Sequence, residues 1–245
     1  MRFGQGLAFI LNESWAFVRK AWWLALLPSL VPFLSYSAAY PFLPASQLEA
    51  ALWSMLVLRA TLQTIELYWV LRFLALDHDL AAALAMNRSS FRTFLPYFVT
   101  ISALNLAILA TNSLNASLAW LTLAIFALFA FPLLSAWSVT APSGTTVIGP
   151  VRSARLVMPH ILWAVALLFV AAVPIPLLQL AADAAINAVP EMPLGRLSSR
   201  VLAGAFLQAV VAAYSDLVVA VALFVIAYKA GVRISDESRL AATFE

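Results

Sequence analysis

Six runs of predominantly apolar residues, each close to or above the length that crosses a bilayer as a helix, dominate the sequence. The runs lie at residues 21–40, 50–74, 95–113, 117–140, 160–181 and 202–228. Of the 245 residues 64% are hydrophobic and 10% are charged, whereas a soluble domain is about 25% charged. A soluble core has no room for so much apolar surface. We therefore predict an all-α polytopic membrane protein, one integral membrane domain over residues 1–245, with six transmembrane helices in three hairpins.

The basic side chains alternate between the two sides of the predicted spans. Two of them, Arg196 and Arg200, lie on one side, in the loop 182–201. The other side carries Arg2, Arg19, Lys20, Arg72, Arg88, Arg92, Arg152, Arg155, Lys229, Arg233 and Arg239. Cytoplasmic loops carry the excess of Lys and Arg, so we predict a bacterial inner-membrane protein with both termini cytoplasmic. We expect the first run to be a retained helix, because it spans a full bilayer and follows twenty residues.

A short amphipathic segment precedes each predicted hairpin on the cytoplasmic side. The first covers residues 3–20 (FGQGLAFILNESWAFVRK); the others read AMNRSSFRTFLPYF and GPVRSARLVMPHILW. Amphipathic helices of this kind lie in the membrane interface. We expect six of their basic residues to contact lipid headgroups: Arg19, Lys20, Arg88, Arg92, Arg152 and Arg155. A cytoplasmic tail at 229–245 follows the last span.

Prolines inside the apolar runs predict kinked helices, because a proline removes one backbone hydrogen bond. They are Pro28, Pro32, Pro132, Pro174 and Pro176. Membrane helices tolerate proline routinely, so the ordinary interpretation is a bent span. The alternative is a broken helix that lines a binding site, as in transporters.

Several polar residues lie in the middle of the predicted spans, where an isolated charge costs about 2.5–3.5 kcal/mol. Arg59 and Glu66 are two helical turns apart with Gln63 between them, so the three share one face of span two. Asp216 lies in a stripe of alanines in span six, and Asn105 lies in span three. We therefore predict that these five residues form an intramembrane polar cluster.

Three roles are open for this cluster. The first is an internal clamp that fixes helix packing, in which Arg59 pairs with Glu66 and Asp216 is either protonated or also near Arg59. The second is a proton or substrate site at mid-membrane, and the third is a contact with a partner subunit. Arg72, at the end of span two, is expected to reach the cytoplasmic headgroups.

Other candidate chemistry is weak, and we predict no catalytic residues, no metal site and no cofactor. The chain has no cysteine, which excludes thiolate sites. Asp77-His78-Asp79 is interpreted as a solvated helix end, because adjacent side chains point to different faces of a helix and no second histidine-rich segment completes a site. His160 is expected at the interface, and the glycosylation sequon at Asn115 is interpreted as accidental. The loop 182–201 is an ordinary linker or a docking surface.

Residues 137–157 (WSVTAPSGTTVIGPVRSARLV) carry a recognisable pattern. The segment resembles the YciC-like family of bacterial six-span membrane proteins, and the membrane domain attached to some glycerophosphodiester phosphodiesterases. Members have a Trp-Ser stretch with a proline, then Gly-Pro, a short basic helix reading R-S-W-R-L and another span. The matching residues are Trp137, Ser138, Pro142, Gly149, Pro150, Arg152, Ser153, Arg155 and Leu156, while Ala154 replaces the usual tryptophan. The resemblance implies a fold and an inner-membrane location, and it supplies no catalytic residues.

The leading functional hypothesis is a non-catalytic membrane protein that acts as a scaffold or accessory subunit of a larger assembly. Its connecting segments are too short to hold an active site. The alternative is a small transporter or lipid-handling protein that uses the intramembrane charges; a membrane-embedded enzyme is the least favoured. The expected partners are membrane lipids and either other membrane subunits or a second copy. Nucleic acid is not expected, because the basic residues outside the apolar runs form no dense cluster.

Overall fold

A computed structural model of the protein describes residues 1–39, 42–85, 88–113, 117–142, 147–194 and 197–232. Within these ranges the helices are α1 (Phe3–Ala39), α2 (Leu48–Ala75), α3 (Leu80–Leu84), α4 (Arg88–Ser113), α5 (Ser117–Thr140), α6 (Pro150–Val157), α7 (Ile161–Ala172), α8 (Pro174–Ala188) and α9 (Ser199–Lys229). Short 3-10 turns cover Ala45–Gln47 and Met158–His160, and a two-residue strand β1 (Pro193–Leu194) pairs antiparallel with β2 (Leu197–Ser198). The predicted all-α class is confirmed. Asn115, Arg196, Arg233, Arg239 and the tail beyond residue 232 lie outside the described residues.

Five stretches of helix are long and apolar enough to cross a membrane. They are Phe3–Ala39, Arg88–Thr111, Leu121–Thr140, Pro150–Ala188 and Ser199–Lys229. This is the pattern of a multi-pass membrane protein. The helix α2 has 28 residues, which is enough length, but Arg59, Glu66 and Arg72 lower its hydropathy. The sixth span therefore stays a prediction.

The predicted interfacial helices are not three separate elements. The first is continuous with its span in α1, and the two parts meet at Ala21, whose backbone leaves the helical region at φ −149° and ψ 39°. In the second, the described residues 88–98 are an unbroken part of α4, which continues through Pro96. In the third segment α6 is a separate helix, because Pro159 and a 3-10 turn divide it from α7. The expectation of an independent interfacial helix before every hairpin is therefore wrong for the second hairpin.

Proline breaks the apolar segments at one of the predicted places. The helix α1 runs through Pro28 and Pro32, and the only residue in it with non-helical φ and ψ is Ala21. Helix α7 ends at Ala172, and Pro174 begins α8, which continues to Ala188. Much of the predicted loop 182–201 is therefore the end of α8 and the start of α9, joined by the β1–β2 hairpin.

The helix α9 is the centre of the bundle and packs against α1, α2, α5, α7 and α8. The C-terminal half of α9 is buried on almost all sides: Val221, Ala222, Leu223 and Ala227 have no exposed surface. Small residues such as Ala222 let neighbouring helices approach closely, which is how helices associate in lipid. Every other long helix is therefore positioned by its contact with α9 or with a helix that touches α9.

A chain of aromatic rings joins α2, α4 and α5. Tyr68 contacts Phe94 at 4.9 Å between ring centroids, and Phe94 contacts Tyr97 at 5.4 Å. Tyr97 meets Trp137 edge to face at 5.2 Å. Aromatic pairs contribute about 0.5–1.5 kcal/mol beyond their buried area, so this chain fixes α4 against its two neighbours.

The segments predicted to be cytoplasmic meet at one end of the bundle. His78 pairs with Glu13 of α1 and stacks on Phe73, while Lys20 donates to the His78 carbonyl at 2.9 Å. The interpretation of residues 77–79 as a solvated helix end holds for Asp77 and Asp79, which are exposed, but not for His78, whose imidazole packs against α1. The backbone of Asp77 and His78 also takes positive φ values of 54° and 67° to make this turn.

Arg72 is likewise more than a headgroup anchor. Its guanidinium donates to the carbonyls of Ala82, Ala83 and Pro142 at 2.9, 3.2 and 3.1 Å. These carbonyls belong to α3 and to the turn after α5. Arg72 therefore satisfies backbone oxygens that have no helical partner, and it ties three segments together.

The packing of residues 3–20 against the bundle predicts different effects for two aromatic side chains of α1. Phe17 has no exposed surface and meets Phe73 at 5.3 Å, whereas Trp15 is 61% exposed. Phe17→Ala should lower the free energy of unfolding by about 3 kcal/mol, because it leaves a cavity. Trp15→Ala should change it little. Thermal unfolding followed by circular dichroism in one detergent tests this; equal losses would mean that the segment does not pack as described.

Candidate functional site

The predicted polar cluster lies where α2 crosses α9. The side-chain amide of Gln63 donates to both carboxylate oxygens of Asp216, at 3.3 and 3.1 Å. Asp216 is half-buried, and the neighbouring Ala209 and Ala213 are buried, so α2 can come close enough for this contact. The predicted meeting of Asp216 with another helix is therefore a Gln63–Asp216 hydrogen bond.

Glu66 lies one turn further along α2 and is 1% exposed. Neither of its carboxylate oxygens has a hydrogen-bond partner among the described residues. It lines a cavity of about 200 Å³ together with Gln63, Asn105 and Asp216, which we call the acidic cavity. Its remaining wall is largely apolar and includes Ile101 of α4 and Phe131 of α5. The structure thus brings four of the five predicted residues to one cavity.

Arg59 lies on the other side of the Gln63–Asp216 hydrogen bond. It lines a second cavity of about 330 Å³ with Ser29, Gln179 and Gln208, which we call the basic cavity. The Arg59 Nε and the Ser29 Oγ are buried and lack a partner within the part of the chain that is described. Ser215 lines both cavities, so one turn of α9 separates them.

Arg59 and Glu66 form no ion pair in the described structure, and the predicted pairing is wrong. Their Cα atoms are about 10 Å apart along the helix axis. Helical side chains lean toward the N-terminus, so Arg59 extends away from Glu66. The charged group that interacts with Arg59 is Asp216, which also repels Glu66.

Two glutamines at the basic cavity were not predicted from the sequence. Gln179 and Gln208 donate to the same oxygen of Asp183, at 3.0 and 3.1 Å, and so join α8 to α9. Gln208 is eight residues before Asp216, which places it on nearly the same face two turns away. The spacing between Gln208 and Asp216 could therefore have indicated Gln208 from the sequence. Nothing in the sequence indicated that α8 would bring Gln179 to the same place, because Pro174 sets the direction of α8.

The remaining predicted site residues lie elsewhere. All six basic residues expected at lipid headgroups have exposed side chains: Arg19, Lys20, Arg88, Arg92, Arg152 and Arg155. Their headgroup contacts stay a prediction. No group of three or more His, Asp or Glu residues within the described ranges is arranged to hold a metal ion.

The segment that resembles the YciC-like family forms a packing motif. Ser153 of α6 is fully buried and donates to the Leu133 carbonyl at 2.7 Å, while the backbone N–H of Trp137 donates to the Ser153 hydroxyl at 3.2 Å. These bonds hold α6 against the end of α5. The motif thus fixes a helix connection and lies apart from both cavities.

Comparison with protein-family models, with curated proteins and with solved structures finds no match to this chain. The class that the structure defines is a multi-pass helical bundle with charged side chains between its helices. The YciC-like resemblance stays a prediction from residues 137–157.

Because Arg59 and Glu66 form no pair, we can predict how uncharged substitutions in the cluster change the stability of the bundle. Glu66→Gln should leave the melting temperature unchanged or raise it, because a buried carboxylate without a partner is costly. Gln63→Leu should destabilise by about 1 kcal/mol, because it removes the donor to Asp216. Glu49→Gln, at the exposed start of α2, is the matched control.

Thermal unfolding of the three purified variants in the same detergent measures these effects. A large loss of stability in Glu66→Gln would mean that Glu66 does have a counter-charge, and would restore the Arg59–Glu66 pair.

Proposed function

We propose that this protein is a small membrane transporter that binds a solute between its helices at the two cavities. One observation carries the proposal: Arg59 and Glu66, two ionisable side chains on one face of α2, each border a cavity, and the Arg59 Nε and both Glu66 carboxyl oxygens lack a hydrogen-bond partner within the described structure. A bundle that needed these charges only for packing would pair them, because unpaired charges in hydrocarbon are costly. Unpaired charges beside cavities are the arrangement of a ligand site. If the protein handles lipids, the bound solute is a lipid headgroup.

The scaffold or accessory role is the second candidate, and a specific observation favours it. Gln63–Asp216 and Ser102–Thr64, the latter at 2.9 Å, are hydrogen bonds between helices of the kind that fix packing. They would suit a bundle whose task is to hold its shape within an assembly. The unpaired Arg59 and Glu66 are not explained by this role, which is why we rank it second. Under either role we propose no catalysis, because the connections between helices are short.

We propose that α2 is a sixth span and that both termini face the cytoplasm of a bacterial inner membrane. A helix of 28 residues is about 42 Å long, and α2 packs beside α1, α4 and α9. Its polar side chains Gln63 and Glu66 face neighbouring helices, which supports a membrane position despite the low hydropathy of α2. The distribution of Lys and Arg supports the orientation, and residues 137–157 support membership of the YciC-like family.

Single-cysteine labelling tests this topology without background, because the chain has no cysteine of its own. In intact cells an impermeant maleimide should label Ser46→Cys and Glu191→Cys, which lie at the outer ends of the predicted spans. Arg88→Cys and Arg152→Cys should react only after the membrane is opened. Labelling of Ser46→Cys from the same side as Arg88→Cys would contradict a spanning α2.

Native mass spectrometry of the full chain, extracted from its host membrane in the mildest workable detergent, tests the transport proposal. We expect a reproducible small-molecule or lipid adduct, which Arg59→Gln and Glu66→Gln each reduce because each removes a charge from the site. Arg2→Gln, at an exposed basic residue that lines neither cavity, is the matched control and should keep the adduct. A stoichiometric protein partner without an adduct would instead support the accessory role.

A further inference from the structure

The two cavities differ in the chemistry that they offer a ligand. The acidic cavity presents the carboxyl groups of Glu66 and Asp216, whereas the basic cavity presents the Arg59 guanidinium, the Ser29 hydroxyl and two glutamine side chains. The hydrogen bond from Gln63 to Asp216 and the Ser215 side chain lie between them. A site for an anion thus adjoins a pair of groups that can take up protons.

The basic cavity has the donors that an oxyanion requires. Arg59 Nε and Ser29 Oγ are buried donors without a partner in the described structure, and a guanidinium binds carboxylate or phosphate oxygens with paired hydrogen bonds. The volume of about 330 Å³ lies at the lower end of the range for small-molecule pockets, about 300–1,000 Å³. Asp183, beside the cavity, already accepts hydrogen bonds from Gln179 and Gln208.

Asp216 competes with such an anion for Arg59. Gln63, which donates to Asp216, lies one turn from Arg59 on α2, and this places the Asp216 carboxylate near the Arg59 guanidinium without a direct ion pair among the described contacts. While Asp216 is ionised, the positive charge of Arg59 is balanced and an incoming anion meets a negative neighbour. When Asp216 takes up a proton, the charge of Arg59 is left unbalanced in a medium where that is costly. An anion then restores neutrality.

The charged surroundings of Asp216 come from few elements. Of the helices packed against α9, α2 brings Arg59 and Glu66, and α8 brings Asp183, which faces Gln208 two turns away. Helices α5 and α7 contain no Asp, Glu, Lys, Arg or His. The charged residues of α1 all lie before Ala21, at the end of the bundle where Glu13 meets His78. Among the described residues, Glu66 is therefore the only other acid beside Asp216.

We propose that the solute of this transporter is a small oxyanion, carrying a carboxylate or a phosphate, which binds Arg59 together with one proton taken up by Asp216. This inference rests on the proposed transport function and names its substrate class and coupling ion. The charges balance in this exchange. Before binding, the charge of ionised Asp216 balances that of Arg59. After binding, Asp216 is protonated and neutral, and the anion pairs with Arg59. Anion and proton therefore bind with positive coupling, and each raises the affinity for the other.

Isothermal titration calorimetry on the full chain in phosphatidylcholine nanodiscs tests this with acetate, benzoate and inorganic phosphate as probes. The affinity for at least one probe should rise about tenfold for each unit by which the pH falls, between about pH 8 and about pH 6, because one proton is taken up. Titrations in two buffers with different heats of ionisation should give an uptake of about one proton per anion. This measurement needs no variant, so a misfolded mutant does not obscure it.

Variants test whether Arg59 binds the anion and whether Asp216 takes up the proton. Arg59→Gln should abolish binding, and Arg59→Lys should weaken it because the forked donors are lost. Asp216→Asn is similar in shape and still accepts from Gln63; it should bind the anion at all pH values with the affinity that the wild type reaches at low pH. Arg2→Gln, at an exposed residue that lines neither cavity, should keep the wild-type profile. A pH dependence that persists in Asp216→Asn and disappears in Glu66→Gln would overturn the assignment to Asp216.

Nanodiscs that contain phosphatidylglycerol identify the source of the oxyanion. If a lipid phosphate is the ligand, this lipid should compete with the free probes and should bind more tightly at low pH. If the ligand is a free solute, the lipid should leave probe binding unchanged.

The failures are distinguishable. Anion binding that requires Arg59 but is independent of pH would overturn the proton coupling and leave the transport proposal standing. Absence of probe binding would overturn the oxyanion inference, and transport would then stand only on the adduct seen by native mass spectrometry. If neither probe binding nor an adduct is found, both the oxyanion inference and the transport proposal are overturned.

Discussion

The contact between α2 and α9 is the interaction on which the rest of the bundle depends. The helix α9 is the central element, and α2 carries Arg59, Gln63 and Glu66 to the two cavities. Gln63 and Asp216 hydrogen-bond where the two helices cross. The stripe of small residues on α9 makes this crossing close. If the two helices were further apart, Asp216 would face hydrocarbon without a donor, which is costly.

The same crossing divides the polar residues into two environments. One side holds Glu66 and Asn105, and the other holds Arg59 with the glutamines of α8 and α9. A direct salt bridge between Arg59 and Glu66 would have neutralised both. Because the two side chains are separated, each borders a cavity within the bundle. This arrangement supports the proposed ligand site rather than a packing clamp.

The end of the bundle where α1 meets the turn after α2 is held differently, by direct hydrogen bonds. Arg72 satisfies three backbone carbonyls, and His78 pairs with Glu13 of α1. These bonds fix the turn after α2 against α1, α3 and the turn after α5. The contrast with Arg59 and Glu66 is informative, because the Arg59 Nε and the Glu66 carboxyl oxygens have no hydrogen-bond partner among the described residues.

The sequence by itself determined that this protein is an all-α bundle with long apolar helices, since composition and the length of the runs leave no soluble alternative. It also indicated that Arg59, Gln63, Glu66, Asn105 and Asp216 matter, because each is polar in an apolar run. Their partners were decided only by the tertiary structure. Helical spacing reports which residues share a face, but the direction in which a side chain leans and the neighbour across the interface depend on packing. For the same reason Gln179, Gln208 and the role of Arg72 became visible only when α3, α5 and α8 were placed beside α2 and α9.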